Sequence, residues 1–459
     1  MGVDTVVAGG TVVTDTSTLE AAVAIDDGRI VGVGDEDALP AAEERIDASG
    51  QLVMPGVVDP HVHVDDHVSI DSYETATAAA ALGGVTTFID FAWQAYVGAE
   101  SPWDAEAPLR DGLERKRANA DEALVDFGLH GGILREGEAL FDELPDLVDA
   151  GLTSFKMYTA YEFGLSTGYM GRVFDHLAEL GAVGVCHTED DSVCRALTDE
   201  LRAGGADDPE DYPRSRPDYA EAMAADDAVR LAQAAGAKYY GIHTSCRASA
   251  EAIETHREDG SQVRAETCTH YTTLTEAAHK AQGNRPKIAP PLRTEDDREA
   301  MFDHLRRGTI SVVSTDHVAQ LAASKADRPW WEGPFGANGL QVSLSVFHDE
   351  AVNRRGFSYP FLVRTMCANP ARTFGLATKG TLDPGTDADL ILFDPSATYT
   401  ITAADNASQA DYSIYEGREV TGRPTMTLVR GEVVAEDGEV VGEPGHGEYV
   451  AREVPDWRG

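Results

Sequence analysis

The sequence predicts an α/β protein: a (β/α)₈ TIM-like barrel over residues 55–379, carrying a small β-sandwich domain built from both chain ends, residues 1–54 together with 380–459. Three observations lead there. Eight short apolar runs alternate with Ala-, Leu- and Glu-rich stretches of helical period across the middle of the chain, the pattern of repeated strand–helix units around a parallel sheet. On either side the texture changes to short β-branched runs broken by glycine turns. Reactive side chains also gather at the C-terminal ends of the runs, where such a barrel places its chemistry.

The elements follow in order. Thr5-Val6-Val7 and Thr11-Val12-Val13, separated by Gly9-Gly10, with Asp27-Gly28 and Ser49-Gly50 further on, predict short strands and tight turns up to about Val53. The barrel strands are expected at Val57 to Val64, Thr86 to Ala92, Val125 to Gly131, Ser154 to Tyr158, Gly184 to His187, Tyr239 to His243, Val263 to Thr269 and Ile310 to Thr315, with a helix over Asp218 to Ala235. After Lys379 the strand-and-turn texture returns in Ala388 to Phe393 and Met426 to Gly431, so the two ends are expected to pair.

Charge narrows the function classes. The 459 residues carry 79 Asp and Glu against 37 Lys and Arg, a formal charge of −42, which argues against a nucleic-acid partner. Only seven of the basic residues are Lys, at 116, 156, 238, 280, 287, 325 and 379. An acid-rich, Lys-poor surface stays hydrated where salt screens its repulsion, the Debye length being roughly 3 Å at 1 M, so a salt-loving source is expected. Five cysteines without a Cys-x-x-Cys pair are expected to be reduced, buried thiols. The start lacks a basic region before a long apolar stretch, and no run of about 18 apolar residues is present. A cytoplasmic location, with no membrane partner, is the expectation.

The reactive residues are specific. His61 and His63 end the first strand two apart, on one face, where both imidazoles can reach one cation; alone, the pair is equally compatible with a polar surface. Lys156 interrupts the apolar fourth strand. An unpaired buried ammonium is costly, so Lys156 either pairs with an Asp, extends its head to water, or loses its proton and adds carbon dioxide to become an anionic, bridging ligand. His187, His243 and Asp316 end the fifth, sixth and eighth strands. His130, His270 and His317 lie near the same rim and are read as supporting residues, and Asp65-Asp66-His67 as a loop at the site mouth.

Pro55-Gly56-Val57-Val58-Asp59-Pro60-His61-Val62-His63, Ser154-Phe155-Lys156, His187-Thr188-Glu189-Asp190, His243-Thr244-Ser245, Ala289-Pro290-Pro291-Leu292-Arg293 and Thr315-Asp316-His317, in that order, resemble the amidohydrolase superfamily, and within it the cyclic amidohydrolases of the dihydropyrimidinase and hydantoinase branch. The resemblance continues through Asn369-Pro370-Ala371 to Tyr415-Glu416-Gly417. It implies that His61, His63 and Asp316 hold one metal and His187 and His243 a second, with carboxylated Lys156 bridging them. Tyr161 matches the tyrosine aimed at the substrate carbonyl. Ala289, in place of the usual serine, and Asn338 match positions that contact the cyclic ureide. The family also implies a homotetramer.

The expected reaction is hydrolytic opening of a hydantoin or 5,6-dihydropyrimidine to an N-carbamoyl amino acid. Two divalent ions, zinc or else manganese or cobalt, would activate a water, Tyr161 would polarise the carbonyl, and Asp316 would carry the proton. Two alternatives stand beside this reading: an allantoinase, against which Tyr161 argues, and a metal-free scaffold relative, against which the complete ligand set argues.

Overall fold

In the computed structural model, which describes residues 2–258 and 262–457, eight parallel strands form a nearly closed barrel. They are Val57–Asp59, Val85–Trp93, Asp126–Gly132, Ser154–Tyr158, Val183–His187, Lys238–Gly241, Val263–Cys268 and Val312–Ser314, each hydrogen-bonded to its neighbours in chain order. Residues of the second and third strands are buried on both faces, which explains why these strands read as continuous apolar runs instead of alternating ones. The helix Asp218–Ala235 has the predicted bounds and ends on Gly236 in the left-handed conformation, φ 71°, where a side chain would be strained.

The first strand is shorter than its apolar run suggests. Pro60 has no N–H to give the ladder, and its carbonyl accepts instead from Nε2 of His130 at 2.9 Å. Beyond it the chain resumes pairing, Val62 N donating to Ile89 O at 3.2 Å and His63 N to His317 O at 2.9 Å. The seam between first and eighth strands is completed by Thr315, whose Oγ1 donates to Asp59 Oδ2 at 2.6 Å. These contacts fix the backbone on both sides of the reactive rim.

Two further sheets stand beside the barrel. One has four strands, ordered Arg29–Gly34, Ala22–Asp26, Val3–Ala8 and Ala42–Asp47. The other has seven and joins the two chain ends, because Leu52–Pro55 pairs with Thr11–Val13 on one side and Leu390–Thr400 on the other. Val7, Val23 and Ile25 from the first sheet and Val12, Val53, Leu390 and Leu428 from the second share one apolar cluster. The last described stretch leaves these sheets: Phe127 N donates to Glu448 O and Val450 N to Phe127 O, laying the tail along the base of the third barrel strand. Met1, Arg458 and Gly459, which the sequence assigns to the small domain, lie outside the described residues.

At the barrel base, Lys379 pairs with Asp126 at 2.5 Å, Asp389 at 2.8 Å and Asp387 at 3.0 Å. Asp126 opens the third barrel strand and Asp389 precedes Leu390–Thr400, so this buried ion cluster bonds barrel to sheet. No helix among the described residues is long and apolar enough to cross a membrane, and all five cysteines are free and buried.

Candidate active site

The strand ends bring six sequence-predicted residues together. His61 Nε2 lies 3.1 Å and His63 Nε2 3.6 Å from Asp316 Oδ1, and one ligand atom from each of the three falls within 4.8 Å of the others. Lys156 Nζ is 3.3 Å from His61 Nε2. Across the same floor His187 Nδ1 faces His243 Nε2 at 2.9 Å, and the rings of His61 and His243 are 5.4 Å apart. His243 and Asp316 both adopt positive φ, 37° and 47°, a costly conformation for residues with side chains and one that recurs at functional sites.

The outward sides of these imidazoles test whether the set fits metal. His61 Nδ1 is 2.7 Å from Glu266 Oε1, His63 Nδ1 3.3 Å from Asp66 Oδ2, and His187 Nε2 3.0 Å from Glu189 Oε2. An acidic side chain on the outer nitrogen orients the ring and points the inner nitrogen into the shared space, the usual support of a metal-binding histidine. With three inward imidazole nitrogens, a fourth on His243, one carboxylate and one amine, the donors fit divalent ions.

Burial sets the protonation states. It pulls the Lys156 amine down to about 8, against the nearby Asp316 and Glu266 carboxylates, and pushes the Glu266 carboxyl up to about 8. His61 and His243 are driven well below the ordinary histidine range by burial, so they are neutral. For His63 burial acts downward too, but its bonds to Asp316 and Asp66 outweigh it and raise the pKa. The Lys156 Nζ also sits 4.2 Å from the centre of the Phe91 ring. Of the three fates open to it from sequence, extension to solvent is excluded by its 2% exposure.

Above this floor lies a cavity of about 260 Å³ with Trp93, Leu134, Tyr158, Phe163 and Phe335 in its walls. Tyr161 lines it, at φ 72°, with its ring 5.1 Å from that of His187; burial holds its hydroxyl protonated far above neutral pH. Ala289 and Gly336 line the same cavity. Asn338 does not: it faces a neighbouring cavity beside Leu82 and Thr400, with its buried Oδ1 lacking a hydrogen-bond partner.

His130 and His317 are held away from the ligand set. His130 is fixed between Ser154 Oγ and the Pro60 carbonyl, and His317 between Asp71 Oδ2 at 2.8 Å and the Gly339 N–H at 3.2 Å. His67 stands at the mouth, with its ring between Trp93 and Trp103.

Sequence reasoning missed Asp66, Glu189 and Glu266 as partners of the histidines. Asp66 reads as a mouth residue in its Asp-Asp-His run, yet it is turned inward and bonded to Trp93 Nε1 at 3.0 Å. Glu266 carried the signal that singled out Lys156, an ionisable residue inside an apolar strand.

Comparison with known proteins places the chain among them. Residues 52–434 match the amidohydrolase family. The chain is 35% identical to the D-hydantoinase of Streptomyces coelicolor, covering 98% of each, and 31% identical to an allantoinase of Escherichia coli, covering 95% of each. Its fold superimposes on the crystal structure of dihydropyrimidinase from Brevibacillus agri with a TM-score of 0.93, at 30% identity and over 98% of this chain and 99% of that one.

Proposed function

The chain belongs to the amidohydrolase family, and we propose that it hydrolyses the amide bond of a cyclic ureide, a hydantoin or a 5,6-dihydropyrimidine, to give an N-carbamoyl amino acid. The observation that carries this reading is the placement of His61, His63 and Asp316 within 4.8 Å of one another, on the floor of a cavity that Tyr161 also lines. His61, His63 and Asp316 would hold one divalent ion and His187 and His243 a second, with Lys156, carboxylated by carbon dioxide, between them. Zinc suits this donor set, as do manganese and cobalt. When bound, such ions supply Lewis acidity and lower the pKa of water from about 15.7 to about 7.

The chain's own groups do the rest. The protonated Tyr161 hydroxyl donates to the ring carbonyl oxygen as negative charge builds there. Asp316 accepts a proton on its carboxylate and returns it to the departing ring nitrogen. Backbone groups of Ala289 and Gly336, which line that cavity, face the polar edge of the ring. The aromatic walls exclude water and receive the ring substituent.

Turnover of hydantoin, dihydrouracil and allantoin side by side, by purified protein loaded with zinc in high salt, tests this. Opening of hydantoin or dihydrouracil is expected. Allantoin as the preferred substrate would favour the allantoinase reading, supported by the 31% identical relative, and no turnover with metal bound would favour a scaffold. The charge of −42 and the seven lysines support a cytoplasmic protein of a salt-loving organism, and the family resemblance supports a homotetramer.

A further inference from the structure

Arg216 neither belongs to the ligand set nor lines the cavity, yet it touches three groups that do or that support them. It stands in the connection before the helix Asp218–Ala235, with its side chain 12% exposed. Its Nη1 pairs with Oε2 of Glu189, and that same oxygen takes His187 Nε2 at 3.0 Å. The guanidinium carbon lies 5.2 Å from the centre of the Tyr161 ring and 4.9 Å from that of Phe335. Its own carbonyl accepts from Arg293, which is paired with Glu221 at 2.8 Å, and Glu221 takes the N–H of Ser245, two residues past His243.

Taken together, the side-chain contacts need a guanidinium. Glu189 is 1% exposed, and a buried carboxylate stripped of its paired cation is costly to keep in place, so the oxygen that meets His187 Nε2 at 3.0 Å stays there because Arg216 holds it. A planar, weakly hydrated cation can pair with that carboxylate through its edge while its face lies against aromatic rings, which a compact ammonium cannot do. We infer that Arg216 is a positioning residue acting through two routes at once: through Glu189 it fixes the outer side of His187, and through its stack on Tyr161 it fixes the hydroxyl presented to the substrate carbonyl. The second route rests on the hydrolase reading above; the first does not.

Arg216→Met and Arg216→Lys, each alone and combined with Tyr161→Phe, test it. Three quantities are read: zinc retained after dialysis against a chelator, kcat and KM taken separately for hydantoin, and melting temperature. Arg216→Met is expected to lose zinc faster and to lower kcat roughly 10- to 100-fold, the loss that removal of a supporting residue at a metal site typically brings, with a smaller change in KM. Arg216→Lys should recover zinc retention, because the charge beside Glu189 is kept, but not kcat, because the stack is gone. In the Tyr161→Phe background the kcat effect of either change should shrink several-fold, as for residues acting as a unit. Full recovery of kcat in Arg216→Lys, or effects that multiply independently with Tyr161→Phe, would overturn the second route. Unchanged zinc retention in Arg216→Met would overturn the first. If Arg216→Met fails to fold, Glu189→Gln takes its place in the retention assay and Arg216→Lys carries the kinetic cycle. A wild type that holds zinc but opens none of the three rings would defeat the hydrolase reading, and the retention assay would still decide the first route.

Discussion

Lys156 Nζ and His61 Nε2 lie 3.3 Å apart, both side chains almost fully buried. Both groups would be cations in water at low pH, and burial lowers the pKa of each. At this distance they are not both charged: His61 is the neutral partner, and the Lys156 amine, drawn down to about 8, gives up its proton far more readily than an ordinary lysine, which brings the state that adds carbon dioxide closer to neutral pH.

Lys156→Ala should therefore cost more than the roughly 100-fold typical of losing a supporting residue at a metal site, with less than two metals retained per chain. Short carboxylic acids supplied in the buffer should restore part of the rate by occupying the space. Metal content and turnover with and without propionate check this. Two metals with near-normal turnover would remove Lys156 from the bridge.

Reactivation of the metal-free protein should show the same amine as a pH dependence. The neutral form is the reactive one, and the amine's pKa is drawn down to about 8. At a fixed concentration of dissolved carbon dioxide, the rate of recovery with zinc should rise as pH approaches about 8 and level off above it. A rate flat between pH 6.5 and 9 would contradict this.

Asp316→Asn keeps an oxygen near His61 and His63 but removes the group that takes and returns a proton. General acid–base assistance is worth typically 10²- to 10⁴-fold, so kcat should fall by about that range while zinc at His187 and His243 remains. Hydantoins with a better leaving nitrogen should suffer less. Near-wild-type rates at full zinc occupancy would move the role elsewhere.

Lys379→Met would leave Asp126, Asp387 and Asp389 buried around a missing cation. Removing one partner of a buried ion cluster costs about 3–5 kcal/mol, read as a loss of denaturation midpoint. Burial alone would lower the Lys379 pKa, but the three carboxylates outweigh it and raise it above the ordinary 10.5. A cation with a raised folded pKa contributes fully below its unfolded value and loses its contribution as pH climbs through the folded one. Wild type and variant should therefore converge in stability only at strongly alkaline pH.

Salt should stabilise the protein. Acidic residues outnumber basic ones 79 to 37, so even complete pairing, of which Arg172–Glu138 and Arg247–Asp296 are surface examples, leaves more than half of the carboxylates without a basic partner. Their repulsion is long-ranged in dilute buffer, where the Debye length is about 30 Å at 0.01 M, and short-ranged at 1 M. The melting temperature should rise with KCl into the molar range; an unchanged or higher value in dilute buffer would remove the halophilic reading.

The barrel was legible because its strands are runs buried almost throughout and helical periods alternate with them; Ser154–Tyr158 and Asp218–Ala235 have the bounds the sequence suggests. Strand ends were less legible where one residue changes the hydrogen bonding, as Pro60 does. The inward residues of the site were visible because histidine and lysine are rare at the ends of apolar strands. Their outer partners were not, since Asp66, Glu189 and Arg216 lie in connections whose paths depend on distant segments, and a carboxylate in a chain with 79 of them carries no signal of its own. The same dependence puts Glu448 and Val450 beside Phe127, more than 300 positions away.

The joining of the chain ends sets an order of events during synthesis. Leu52–Pro55 finds one neighbour, Thr11–Val13, almost at once, but its other neighbour, Leu390–Thr400, begins 335 residues after Pro55. At roughly 5–20 residues per second on the ribosome, that edge stays open for roughly 20 to 70 seconds. Meanwhile Val12 and Val53, destined for the cluster shared with Leu390 and Leu428, wait for the apolar surface that will cover them. Newly made protein thus passes through an interval in which its first strands are exposed to neighbouring nascent chains, and it is the late emergence of Leu390–Thr400 that ends it.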